Sequence, residues 1–464
     1  MLTDWLETLL GGSHEIILPA LSFVRGTSTD FQGSGYIRWA ADSGIRIVAY
    51  TDGADVLHRE FGRVEAAPGH LIPHDRYISV QGRTEDDWDV STIPVWTEGY
   101  TLRDSPRVFW DFGTNGLSLT RETGRREHPR LIRALMGPPP ASWPRATHSE
   151  MRNDGEKSSA SRSDCLLADF GCGHLYTHLR ADGWFEARIT IKETSPPIEP
   201  LEITGAVGQA FGFVLGRRQF LLGFEDLVPG RETRRLFVPD PEPTKNSILA
   251  PLGKGSAYLH HVEGLLGQAI DFFLTKEGRR VADHLFLCWD AADNAFSTQL
   301  AVASISLEGL ISLIPHQPGT DKGAEAESEG GGSTGADVEA LEKWLGQKEV
   351  SEAFANRLRG TVAAFKHRRP ADVIWDWQRK GLLGVTQEDI DAWKKARNRA
   401  AHGAAVTLPE DKRKLQEAYL QFVREINLIN RVVLQMMGYR GLYVDYGSAW
   451  WPEVEFPATA PESL

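Results

Sequence analysis

Apolar and polar positions follow two different periods along the chain. Up to about residue 250, short apolar runs alternate with polar positions between frequent glycines and prolines. The clearest alternating sets are Ile45, Ile47 and Ala49, and Phe185, Ala187, Ile189 and Ile191. A period of two between turn residues predicts antiparallel β structure, either as two lobes or as one sandwich with a long loop.

After about Ser256 the apolar spacing becomes helical. Residues on one predicted helix face are Ala303, Leu307, Leu310, Ile311 and Ile314. Further helices are predicted over 338–347, over 350–366, from Pro370, from Thr386 to His402, and from Pro409 to Met437. Thr386 stands three residues before Asp389, which is the spacing of a capping box. The last helix carries the apolar stripe Leu415, Tyr419, Phe422, Ile426, Ile429, Val433 and Met436. The pattern therefore predicts an up-and-down helical bundle.

Two segments break these patterns. Residues 137–164 join GPPPASWP to a polar string, a composition that predicts a loop without ordered elements. Residues 317–337 are rich in Gly, Ser and acids, and predict a flexible insert. The expected fold is α+β, with a β-rich sensing or regulatory domain over 1–250 and an all-α bundle over 251–464.

Composition narrows the classes of function. The 464 residues hold 51 Lys and Arg against 63 Asp and Glu, a formal charge of -12, which argues against a protein that coats nucleic acid with its whole surface. Three cysteines do not make a disulfide framework, and the start MLTDWLETLL lacks a basic signal region. The stretch from Ala295 to Ile314 is interrupted by polar residues, so no membrane span is expected. These features predict a cytoplasmic protein.

One helix end combines cations, an amide and an imidazole. Asn398 and His402 are four residues apart and share a helix face, and the long side chain of Arg397 reaches the same region. Cleavage of RNA without a metal needs a base for the 2'-hydroxyl, an acid for the leaving oxygen and a cation on the phosphate. Histidine supplies the first two roles and arginine the third. These three residues are therefore the candidate catalytic group.

The helix end offers one histidine, whereas acid and base acting together need two. A two-fold dimer that brings two copies of this helix end together would supply both, so a homodimer through the helical domain is predicted. Between 357 and 399 there are eleven Lys and Arg against five acids. Lys394, Lys395 and Arg399 are the candidate RNA-binding cations of this basic patch.

The string Arg-Asn-Arg-Ala-Ala-His-Gly over 397–403 resembles the signature of HEPN domains (higher eukaryotes and prokaryotes nucleotide-binding). The matching residues are Arg397, Asn398 and His402. The resemblance extends to a glutamate, Glu308, on an early helix and to the glycine that follows the last helix. It implies a metal-independent endoribonuclease without a cofactor. Glu308 would either hold Arg397 in place or pair with another surface cation.

A β-rich half joined to such a domain is similar to the ApeA-type antiphage HEPN proteins of bacteria. That resemblance implies an enzyme that cleaves cellular RNA, with tRNA as one candidate, and stops growth after a phage-derived trigger. The alternative from another class is a non-catalytic dimer whose β-rich half recognises a phage or cellular ligand.

Two further groups have simpler explanations. Cys165, Cys172, His174 and His178 are zinc-ligand types, but their spacing fits no finger pattern, and buried structural cysteines are favoured. Trp375, Trp377 and Trp393 lie near the basic patch, where an aromatic ring stacks on bases. Because Trp375 and Trp377 point to different helix faces, at most one of these two is expected to do so.

Overall fold

The structure is a computed structural model that divides into two compact units. It describes residues 15–25, 28–40, 44–52, 77–93, 95–102, 107–124, 129–139, 143, 145–148, 151–153, 156–158, 161–180, 183–238, 246–253, 259–314, 343, 370–401 and 412–456. The β unit comprises 1–212, 218–243 and 262–274, and the helical unit comprises 213–217, 244–261 and 275–464.

Antiparallel strands build the β unit, as the alternating pattern predicts. Fifteen strands join in one sheet in the order β10-β13-β14-β15-β9-β16-β17-β8-β5-β4-β1-β2-β3-β7-β6. The first nine strands are β1 Glu15–Arg25, β2 Ser28–Ala40, β3 Gly44–Asp52, β4 Ile78–Arg83, β5 Asp89–Thr92, β6 Val95–Leu102, β7 Arg107–Thr114, β8 Gly116–Glu122 and β9 Leu131–Gly137. The rest of the half has β10 Arg145–His148, β11 Met151–Asn153, β12 Glu156–Ser158, β13 Ser161–Phe170, β14 Gly173–Leu179, β15 Phe185–Ile191, β16 Phe220–Val228 and β17 Arg231–Phe237. The β-rich N-terminal half is confirmed.

The expected loop over 137–164 is wrong in part. Strands β10, β11 and β12 form there, and β13 begins there. Arg145–His148 pairs with β13, and β11 pairs with β12, so backbone hydrogen bonds order a segment whose composition is polar. The described strands on either side belong to the same sheet rather than to two separate sheets.

One helix within this half was not predicted. Helix α1, Pro200–Leu215, buries Ile203, Val207 and Phe211 at helical spacing. The Phe211 ring lies 4.9 Å from Phe185 and 5.4 Å from Trp143, centroid to centroid. An aromatic cluster therefore joins α1 to the sheet.

The predicted boundary at 250 also differs from the observed division. Helix α2, Leu259–Leu274, begins after that boundary, yet its residues 262–274 group with the β unit. Its Glu263 and Asp271 carboxylates accept hydrogen bonds from the backbone N–H groups of Leu167 and Gly171 at 3.1 and 2.8 Å. These bonds join α2 to β13 and to the turn after it.

Helices dominate the helical unit. They are α3 Lys276–Ala291, α4 Phe296–Leu313, α5 Pro370–Arg379, α6 Gln387–Ala401 and α7 Lys412–Met436, with a 3-10 turn over Leu382–Gly384. The helical C-terminal half is confirmed, with one addition: β18 Leu442–Val444 and β19 Glu453–Glu455 form a small two-stranded antiparallel sheet after α7. The predicted helices over 338–347 and 350–366, the insert over 317–337 and the residues His402 and Gly403 lie outside the described residues, apart from residue 343.

The start of α6 confirms the predicted capping box. Thr386 Oγ1 accepts from the Asp389 N–H at 3.2 Å, and Asp389 Oδ2 accepts from the Thr386 N–H at 3.0 Å. The apolar stripe of α7 is buried from Phe422 to Val433 and half-buried at Met436, whereas Leu415 and Tyr419 in its first turns are exposed.

Helix α4 is the centre of the helical unit. It packs against α3, α6 and α7, and it buries Ala303, Leu307, Leu310 and Ile311 as predicted, whereas Ile314 is half-buried. By length and composition alone this helix is apolar enough to cross a membrane. Its Ser304 and Glu308 contact polar side chains of α7 and α6, respectively.

Candidate functional site

Hydrogen bonds from two arginines of α7 hold the first turn of helix α6. Asp389, which is buried, accepts from Arg431 Nη2 at 3.0 Å and from Arg424 Nη1 at 3.1 Å. The second amino group of Arg431, Nη1, donates to the carbonyls of Leu383 and Gly384 at 2.7 and 2.8 Å. One buried guanidinium thus connects α7, the 3-10 turn and the start of α6, so the orientation of α6 is set at this end.

The far end of α6 carries the predicted arginine. Arg397 Nε donates to Glu308 Oε1 of α4, which confirms the first of the two alternatives for Glu308 as a contact. The guanidinium carbon lies 5.8 Å from the ring centroid of Trp393, which is buried one turn earlier. A carboxylate and an aromatic ring therefore both restrict the orientation of this guanidinium.

Arg397 remains accessible despite these contacts. Its side chain is 52% exposed and that of Glu308 is 30% exposed. Because Glu308 engages Nε, the terminal amino groups make no hydrogen bond within the described part of the chain and are able to bind an anion. The side chains of Asn398 and Lys395 are also exposed on this helix end.

The structure does not describe every predicted residue of the site. His402 lies outside the described residues, and so does the side chain of Arg399. The contact between His402 and Arg397 stays a prediction for that reason. Arg397, Asn398, Lys394 and Lys395 share the last turns of α6, as the sequence places them.

The tryptophans near the basic patch differ in burial, as the different helix faces of Trp375 and Trp377 predict. Trp377 and Trp393 are buried, whereas Trp375 is half-buried. The Lys394 ammonium lies 4.5 Å from the Trp375 ring centroid, a cation–π contact. Trp375 is therefore the one ring of the three with partial access to solvent.

A second imidazole near Glu308 was missed by the sequence analysis. The ring of His284, on α3, lies against Gly309, where an added Cβ would come within 2.0 Å of its Cε1 atom. Its Nδ1 atom is buried without a hydrogen-bond partner in the described structure, and burial lowers the pKa of His284. A glycine inside an apolar helix was the available signal, because it indicates a close approach of another group.

A buried polar cluster lies between α3, α4 and α7. Glu425 Oε1 accepts from Ser304 Oγ at 2.8 Å, and the Glu425 side chain is fully enclosed. Burial raises the pKa of Glu425 well above its ordinary value, and burial raises the pKa of the neighbouring Cys288 thiol to about 12. Both groups are therefore favoured in their neutral forms inside this core.

The cysteine and histidine group is spread over one β-hairpin. Cys165 and His178 face each other across β13 and β14, and His174 Nδ1 lies 2.5 Å from Asp169 Oδ1 on the exposed surface. Cys165 is buried and Cys172 half-buried. Over the described ranges, no cluster of three or more His, Cys, Asp or Glu side chains is placed to hold a metal ion.

The arrangement at the end of α6 is suited to binding a phosphate. It offers an oriented, accessible guanidinium, an adjacent exposed amide and two further cations, and its rigidity comes from the packing of α4 and α6. No family model, curated protein or solved structure matches this chain.

Proposed function

We propose that the helical unit is a metal-independent endoribonuclease of the HEPN type. The observation that supports it best is the contact of Glu308 with Arg397, which orients an exposed guanidinium beside Asn398 at the end of α6. In this mechanism Arg397 binds the scissile phosphate and stabilises the charge that develops on it. His402 moves the proton as general base or acid, and Asn398 orients His402 or the phosphate.

The proposed site is completed in a homodimer. A two-fold axis that brings two α6 ends together provides one imidazole as base and the other as acid. Lys394, Lys395 and Arg399 then bind the flanking phosphates. In this proposal the protein acts in the bacterial cytoplasm as an antiphage enzyme, and cleavage of cellular RNA, with tRNA as one candidate, stops growth after a phage-derived trigger.

The decisive assay incubates the purified full-length protein with total cellular RNA in EDTA, with and without lysate from phage-infected bacteria. We expect products that end in a 2',3'-cyclic phosphate or 3'-phosphate, since attack by the 2'-hydroxyl leaves those ends. Arg397→Ala and His402→Ala should abolish cleavage. Arg83→Ala is the matched control, because Arg83 is similarly exposed, at 61%, but belongs to the β unit.

Undiminished cleavage by His402→Ala would refute the assigned role. If the protein cleaves no RNA under either condition but binds a macromolecule tightly, the result would support the non-catalytic binding protein instead. Titrating wild-type protein with His402→Ala tests the shared site. If each site needs both imidazoles, an equal mixture of exchanging protomers retains about a quarter of the activity rather than half.

A further inference from the structure

Trp375 on α5 is a tryptophan that the core of the helical unit does not explain. The buried residues of this helix are Val373, Ile374 and Trp377. At 3.6 residues per turn, Trp375 lies about 150° round the helix from the centre of that buried face. Its side chain is only half-buried. A large aromatic ring on the outer side of an amphipathic helix is therefore a candidate contact for a ligand.

A cation of α6 connects the Trp375 ring to the candidate site. The Lys394 ammonium lies 4.5 Å from the centroid of this ring. Lys394 and Arg397 are three residues apart on α6, so they share a helix face with about 5–6 Å between their Cβ atoms. Trp375 therefore lies at the same end of α6 as the exposed guanidinium of Arg397, beside the place where a phosphate would bind.

The two tryptophans at this end of α6 differ in what can reach them. Arg397 lies over Trp393, which is 1% exposed, so that ring is enclosed by the protein. Lys394 lies over the more accessible Trp375 and forms no ion pair within the described part of the chain. Its ammonium is carried on a flexible four-carbon stem, so it is able to leave the ring for a phosphate oxygen. That movement uncovers a face of Trp375.

The charge around Trp375 favours a nucleic acid. Segments 370–380 and 391–401 together hold six Lys and Arg against three Asp. Arg379, which lies one helical turn after Trp375, pairs with Asp376 at 3.6 Å and is still 65% exposed. The phosphates of an RNA strand are therefore attracted to the surface beside the ring.

We propose that Trp375 stacks on an unpaired base next to the phosphate bound at Arg397, while Lys394 turns from the ring to the backbone of the same strand. This inference rests on the proposed function, and it names the substrate class as single-stranded RNA or the loops of folded RNA. Every base offers a flat π-face, and a ring on a packed helix stacks on it with little loss of conformational entropy. A base within a duplex is already stacked, so cleavage sites in total RNA should lie at unpaired positions.

The test measures binding of two fluorescently labelled oligonucleotides to the full-length protein in EDTA. All riboses of both probes are 2'-O-methylated, so the attacking hydroxyl is absent and the probes stay intact. One probe is single-stranded, and the other has the same backbone without bases. Because stacking needs a base whereas phosphate contacts do not, wild type should bind the probe with bases about tenfold more tightly.

Trp375→Leu keeps an apolar side chain and removes the π-face. It should weaken binding of the probe with bases about tenfold and leave binding of the abasic probe unchanged. Trp375→Tyr keeps a ring and should retain most of the binding. The matched control is Trp450→Leu, the same substitution at a 99% exposed tryptophan of the same unit. It should bind both probes as wild type, because the exposed Glu453 and Glu455 beside it repel phosphates.

Equal binding of both probes by wild type, or unchanged binding by Trp375→Leu, overturns stacking, and the nuclease is retained if total RNA is still cut to 2',3'-cyclic phosphate ends. Equal losses in Trp375→Tyr and Trp375→Leu, or cleavage sites inside duplexes, also overturn it. A change in molar mass of Trp375→Leu in solution, with probe binding unchanged, assigns the ring to a protein interface instead. Probe binding that depends on Trp375 without cleavage of unmodified RNA leaves stacking intact and refutes the nuclease.

Discussion

Replacement of Glu425 by glutamine should remove a pH dependence from the stability of the helical unit. Glu425 is 1% exposed, one carboxyl oxygen accepts from Ser304, and the other is buried without a hydrogen-bond partner in the described structure. Burial therefore raises the pKa of this carboxyl in the folded chain well above its ordinary value of 4.5. The nearby Cys288 thiol, whose pKa is raised to about 12, does not ionise in the same range.

The sign of the effect follows from proton uptake. The folded state binds a proton at Glu425 that the unfolded chain has already lost above pH 4.5. The stability that this proton provides is complete below pH 4.5, and it is lost as the pH rises toward the folded pKa. Within that window the free energy of unfolding should fall by about 1.4 kcal/mol for each pH unit. Glu425→Gln keeps the acceptor for Ser304 and has no proton to lose, so this slope should disappear.

The assay is urea unfolding of the full-length protein at a series of pH values from 4.5 upward, together with hydrogen exchange of peptides from α4 and α7. Hydrogen exchange assigns the effect to the helical unit. Glu417→Gln is the control, because Glu417 is an exposed glutamate of the same helix. If wild type and Glu425→Gln show parallel pH profiles, Glu425 is not held neutral by burial and the reasoning fails.

Two further substitutions test the supports of the site. Gly309→Ala places a Cβ 2.0 Å from the His284 ring. We therefore expect it to destabilise the protein by about 1–3 kcal/mol in urea unfolding and to reduce RNA cleavage. Gly264→Ala is the control and should be neutral or stabilising, because its added Cβ meets no atom within 4 Å. Unchanged stability of Gly309→Ala would contradict the close contact. Thr386→Ala removes the acceptor at the start of α6 and should cost about 1 kcal/mol by the same method, and Thr386→Ser should restore most of it. An equal loss in both variants would show that the hydroxyl is not responsible.

Local patterns were sufficient to predict much of the fold. The spacing of apolar residues indicates which face of each element is buried. This holds for the period of two in β3 and β15 and for the helical spacing of Ala303, Leu307 and Leu310. The capping box at Thr386 was predictable because both of its residues lie within one helical turn. The contact of Glu308 with Arg397 was only one of two alternatives, because the sequence does not show which cation lies nearest to this carboxylate in the fold.

Features that depend on distant residues were not predictable in the same way. Helix α1 was read as part of a β-rich half, although its apolar spacing is helical and its aromatic partners come from other elements. The strands of 145–158 form through backbone pairing, which polar composition does not reveal. His284 is 25 positions from Gly309 in sequence, and their proximity depends on how α3 packs on α4.

The two ends of α6 differ in how much of the fold depends on them. Asp389, Arg431 and Thr386 secure the first turn, whereas Lys395 and Asn398 near the last turn face solvent. Substitutions at those outer positions should therefore leave the architecture of the bundle unaffected. Under the proposed function, the exposed positions of the last turns can vary while the first turn stays constant, so a changed RNA specificity does not require a redesigned scaffold.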